Sequence, residues 1–232
     1  MNKMTLGSAK AAFIKWLPFG ACVVMGIIAA VFHPVVSEVY RPLVYLQIPV
    51  CALIPLIFPA LEKWAHVKVP YFINATIAFH IIISVDLGTA LDAYGYIPYY
   101  DKILHAFFGL WCAQLIYFFM LRWGGKNLSK TGICALVTLS VLGVAALWEV
   151  FEFTTDCIFG GDAQLWKYRV ANGLNPMTDT MMDIVVTLIG IAVFLITLYI
   201  DCKKGGKIYG SSLGNASAFA EEGFSVHGGE AE

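Results

Sequence analysis

Asp101 and His105 stand four residues apart, about one helical turn, so a helix through them puts a carboxylate and an imidazole on one face. Glu149, Glu152 and Asp156 fall at i, i+3 and i+7, and Asp179 and Asp183 at i and i+4. All three sets sit in, or open, strongly apolar runs. An Asp at the centre of a bilayer costs at least about 2.5 kcal/mol, so three sets need a common cause. We read it as convergence on one polar pocket. Carboxylates that close together cannot all ionise without a counter-charge. A bound divalent cation, pairing with Lys102, Lys167 or Arg169, or protonation of some members would each resolve the conflict.

Carboxylates with a single imidazole suit a divalent ion, Zn, Mn or Mg foremost, with Ca also compatible. The candidate ligands are Asp101, His105, Glu149, Glu152, Asp156, Asp179 and Asp183. The candidate catalytic groups are His105 as a base oriented by Asp101, and Glu149, which lies deep in its run. A water acidified by the metal is the alternative nucleophile. Lys102, Lys167 and Arg169 suit an anionic substrate group such as a phosphate. No His-Glu-x-x-His and no Glu-x-x-His occurs, so the zincin and ferritin-type motifs are absent. Plainer roles compete at several positions. Asp101 and Asp179 also fit helix caps. Asp92 and Asp162 read as solvated loop residues, Asp86 is evenly balanced, and His80 reads as a hydrogen-bonded interior residue.

The elements that must hold these side chains follow from composition. The chain has 232 residues, 59% hydrophobic and 13% charged, where a soluble domain carries about 25% charged residues. Six apolar runs, each near the ~20 residues a bilayer needs, read as membrane spans over about 16–32, 42–61, 71–91, 101–123, 131–159 and 180–200. The fold class expected is an all-α membrane protein, a bundle of six transmembrane helices. The first run, preceded by Lys3, Lys10 and Lys15, reads as a retained signal anchor. Pro49, Pro55 and Pro59 predict a kinked second span. The fifth run is long for one crossing, so it tilts or projects. The six cysteines show no Cys-x-x-Cys spacing and read as small buried hydrophobes.

Of the fifteen Lys and Arg, eleven fall on the side of both termini and four on the other, which places both termini in the cytoplasm. The three acidic sets then share the outer side with Asp86, Asp92 and Asp162. The net charge of −1 says nothing about nucleic acid, and no basic patch supports that partner class, so none is expected. The domain reading is a transmembrane domain over 1–202 and a disordered cytoplasmic tail over 203–232.

The series Asp101-Lys102-x-x-His105 with Gly109, Trp148-Glu149-x-x-Glu152-Phe153-x-x-Asp156, and Asp179-Thr180-Met181-x-Asp183 with Gly190 resembles the YjdF-like bacterial inner-membrane family. More distantly it is similar to VanZ-like proteins, with their Lys-x-x-His, Glu-x-x-Gln and Asp-x-x-x-Asn-x-x-Gly pattern. Glu152 stands where those have Gln, and Thr187 where they have Asn. The likeness covers about residues 99–191. It implies a helical inner-membrane protein carrying this polar cluster, and VanZ-like proteins are associated with glycopeptide resistance at the envelope. The function expected is a metal-dependent hydrolase or transferase acting on a membrane lipid or lipid-linked substrate. The alternatives are a proton-coupled transporter and a non-catalytic, VanZ-like envelope or antibiotic-resistance factor.

Overall fold

A chain inside a bilayer must satisfy every backbone N–H and C=O internally, which for apolar runs of this length means helices. The computed structural model describes residues 6–32, 41–67, 69–123, 128–204 and 209. Its helices are α1 (Leu6–Phe32), α2 (Arg41–Ala52), α3 (Ile57–Trp64), α4 (Tyr71–Ile81), α5 (Ala93–Tyr96), α6 (Tyr100–Arg122), α7 (Lys130–Phe159), α8 (Trp166–Ala171) and α9 (Thr178–Lys203), with no strand among the described residues. Six stretches are long and apolar enough to span a membrane: Phe13–Phe32, Val44–Trp64, Tyr71–Ala90, Tyr100–Arg122, Lys130–Phe159 and Thr178–Lys203. They match the six expected spans to within a few residues. Much of their apolar surface faces outward, with Leu139 65% and Leu147 69% exposed on α7. Water-soluble monomers rarely display such continuous apolar surface, so these faces suit lipid.

The chain divides into two compact units, Met1–Leu104 and His105–Glu232, the boundary falling within α6. In the first, the proline-rich second span is broken as expected. A 3-10 turn, Ile54–Leu56, separates α2 from α3 and carries Pro55. Ala29 of α1, Val44 and Ile48 of α2, and Ala90 form a small buried cluster, and Lys15 pairs with Glu62 at 2.6 Å. The third span changes helix type partway. After α4 it continues as a π-helix, Ile82–Ala90. The wide turn is visible in the bond from the Leu91 amide to the Asp86 carbonyl, 3.1 Å. The Tyr100 hydroxyl donates to the Ile83 carbonyl at 2.6 Å.

In the second unit, Cys112 and Ala113 of α6, Val137 and Val141 of α7, and Ile191, Phe194 and Leu198 of α9 form one buried cluster. The α6–α9 contact is built on glycine. A Cβ on Gly190 would run into the Ala106 carbonyl oxygen, and one on Gly109 into that of Thr187. Small residues at such crossings let backbones approach. Helix α7 has 30 residues, about 45 Å at 1.5 Å per residue, so it exceeds a bilayer core of about 30 Å. Ser129 caps its start, accepting from the Gly132 amide at 3.1 Å, and Gly160, at φ +75°, ends it. Of the tail expected to be disordered, Lys203, Lys204 and Tyr209 are described and the rest lies outside the described residues. Tyr209 is docked: its amide donates to Asp201 at 2.8 Å, and its ring packs on Phe194.

Candidate functional site

The buried face of α9 reads Asp179, Asp183, Thr187, Gly190, Ile191, Phe194, Leu198 and Asp201. Spacings of three and four keep these on one side of the helix. The glycine contact with α6 fixes the register of that face, and the Thr187 hydroxyl reaches the His105 carbonyl at 3.4 Å. One turn nearer the helix start, His105 Nε2 and Asp183 Oδ1 stand 3.8 Å apart. Asp101 precedes His105 by one turn on the same continuous helix. One ligand atom from each of Asp101, His105 and Asp183 lies within 4.8 Å of the other two.

A separation of 3.8 Å is too long for a hydrogen bond. Two ligand atoms each about 2.1 Å from one ion sit roughly 3.4 Å apart at the tetrahedral angle, so the spacing leaves room for a cation between the groups. Burial adds to the case: Asp183 is 2% and His105 8% exposed. Lys102 reaches Asp101 Oδ2 at 2.9 Å, so one cation already shares this carboxylate.

The other candidates divide. Asp179 is buried on the same face of α9. Glu149 is buried, and the Gln164 carboxamide donates to its carbonyl at 3.0 Å and its Oε2 at 3.3 Å. Asp156 is buried and accepts from the Ala163 amide at 2.8 Å and the Gln164 amide at 3.2 Å. That arrangement folds the loop after α7 back onto the helix. Glu152 is half-buried and accepts from the Trp148 indole at 2.8 Å. Glu149, Glu152, Asp156 and Asp179 are outside the group of three.

Lys167 donates to the Gly160 carbonyl at 2.8 Å, satisfying the end of α7, and lies over the Trp166 ring. Arg169, also on α8, has a buried Nε with no hydrogen-bond partner. Asp162, expected to be a solvated loop residue, accepts from the Lys167 and Tyr168 amides at 2.8 Å each and so caps α8. Sequence reasoning missed Gln164. Only its place in a loop rich in polar residues hinted at it, since its two contacts reach 15 residues back along the chain.

Helices of this length and apolarity, with Asp86, Glu149, Asp156, Asp179, Asp183 and Asp201 buried, define a polytopic membrane protein. The chain belongs to the family described as "Predicted membrane protein (DUF2238)", which matches residues 19–204; the YjdF-like resemblance points the same way. An uncharacterized protein of Thermotoga maritima is 29% identical over 150 residues, covering 64% of this chain and 71% of that one. The VanZ-like resemblance gains no support from either match. No solved structure matches the chain.

Proposed function

We propose that this is a bacterial inner-membrane protein with both termini in the cytoplasm, which holds one divalent cation through Asp101, His105 and Asp183. In this reading it acts as a hydrolase or transferase on an envelope lipid headgroup or lipid-linked substrate. The observation that carries it is the approach of those three ligand atoms to within 4.8 Å, two of them from side chains buried in apolar helices. The excess of Lys and Arg on the side of the termini supports a cluster on the outer side.

A cation there would supply Lewis-acid polarisation of a phosphoryl or carbonyl oxygen and an acidified water. His105, committed as a ligand, would orient the cation, and the acidified water would be the nucleophile. Arg169, with its unpartnered Nε, is the side chain suited to an anionic headgroup, whereas Lys167 is already committed to the Gly160 carbonyl.

The test is headgroup release from vesicles of bacterial lipid carrying the full chain. Metal-loaded protein is expected to release headgroup, chelator-treated protein to stop, and readdition of Zn, Mn or Mg to restore it. Equal release by the Asp183→Asn variant would remove the catalytic reading.

A further inference from the structure

Asp86 takes no part in the cluster above. It lies in the first unit, on the π-helix, and is 1% exposed. Its Oδ2 has no hydrogen-bond partner. Isolated ionised carboxylates in such surroundings carry a desolvation penalty of several kcal/mol, so something positive completes the group. Among the described residues no Lys, Arg or His pairs with it.

The elements packed around it show what fits. From α1, Gly26 approaches so closely that a Cβ there would lie 3.7 Å from Asp86 Oδ1 and 2.8 Å from Ile48 Cγ2 of α2. The titratable groups within electrostatic reach are the thiols of Cys22 on α1 and Cys51 on α2. The Cys22 thiol donates to the Ala78 carbonyl. On α2, Gln47 lies one turn before Cys51, hence on the same face, and its Oε1 is a second buried oxygen without a partner. Both unpartnered atoms accept; the region is short of a donor or a cation, not of an acceptor. One carboxylate with neutral oxygens balances a single positive charge, not two. The π-helix is the independent local sign, since such turns recur at functional sites.

We propose that Asp86 binds one small monovalent cation, a proton or a sodium ion, with the Gln47 carboxamide oxygen on the facing helix as the accessory ligand. Such an exchangeable site within a membrane span is what a cation-coupled transport step requires.

The test uses the full chain in liposomes, treated with a hydrophobic carbodiimide and mapped by mass spectrometry. That reagent couples to protonated carboxyl groups in apolar surroundings. Asp86 is expected to be labelled in sodium-free buffer, and Asp86→Asn to lose that adduct. For a proton site, labelling falls as pH rises and ignores sodium. For a sodium site, sodium suppresses labelling and an equal concentration of choline does not. Absence of an adduct on Asp86 at every pH, or labelling indifferent to both pH and sodium, overturns the proposal.

Discussion

Asp183 and Asp86 are both acids buried to within a few per cent in apolar spans, but their surroundings differ in kind. Asp183 sits on a regular α-helix opposite His105, with Asp101 one turn away. Its position is fixed by a close glycine crossing below it. Asp86 sits on a π-helix, with Gly26 and two thiols around it and an oxygen left unpartnered. The first arrangement brings three potential ligand atoms to within 4.8 Å of one another; the second leaves a carboxylate oxygen without a partner. What distinguishes them is the number of neighbours, not depth of burial.

The largest effect is expected at the glycine crossing that positions Asp183. Gly190→Leu drives a side chain into the Ala106 carbonyl, and neither backbone can yield. We expect loss of more than about 3 kcal/mol, read as a collapse of the thermal transition in detergent. Gly143→Ala, with nothing within 4 Å, is the matched control and should be neutral or gain up to about 1 kcal/mol. Next is Asp156→Ala, which strands the Ala163 and Gln164 amides. A loss of about 1–3 kcal/mol is expected, seen as faster hydrogen exchange in the loop before α8. Tyr100→Phe removes the donor to the Ile83 carbonyl. It should cost about 1 kcal/mol and raise exchange in the π-helix while leaving α9 unchanged, which sharpens the contrast. Lys102→Ala is expected to be smallest, below about 1 kcal/mol in stability, because the pair with Asp101 is partly exposed.

The division between what the sequence announced and what it hid follows the range of the interactions. Six spans and the break at Pro55 were legible, because length, apolar content and proline act locally. Of the three acidic sets expected to converge, members of two approach one another, His105 and Asp183 at 3.8 Å, while Glu149, Glu152 and Asp156 of α7 fall outside that group. The π-helix was not legible. Its sequence, with Gly88 and three isoleucine or valine residues, suits an α-helix equally. The Tyr100 hydroxyl, 17 residues away, is among the groups that satisfy its displaced carbonyls. The grip of Gln164 on Glu149 and the double amide capture by Asp156 were hidden for the same reason: both depend on how a loop returns to a helix.

Metal content is the most direct test of the cluster on α6 and α9. Full-length protein purified without added chelator, then measured by inductively coupled plasma mass spectrometry, is predicted to carry close to one equivalent of Zn, Mn or Mg per chain. His105→Ala and Asp183→Asn should weaken retention beyond the about 10–100-fold attributable to outer partners, with Asp86→Asn retaining the metal. Folded protein that holds no divalent ion after incubation with each metal, or variants that hold it as well as the parent, would contradict the central claim.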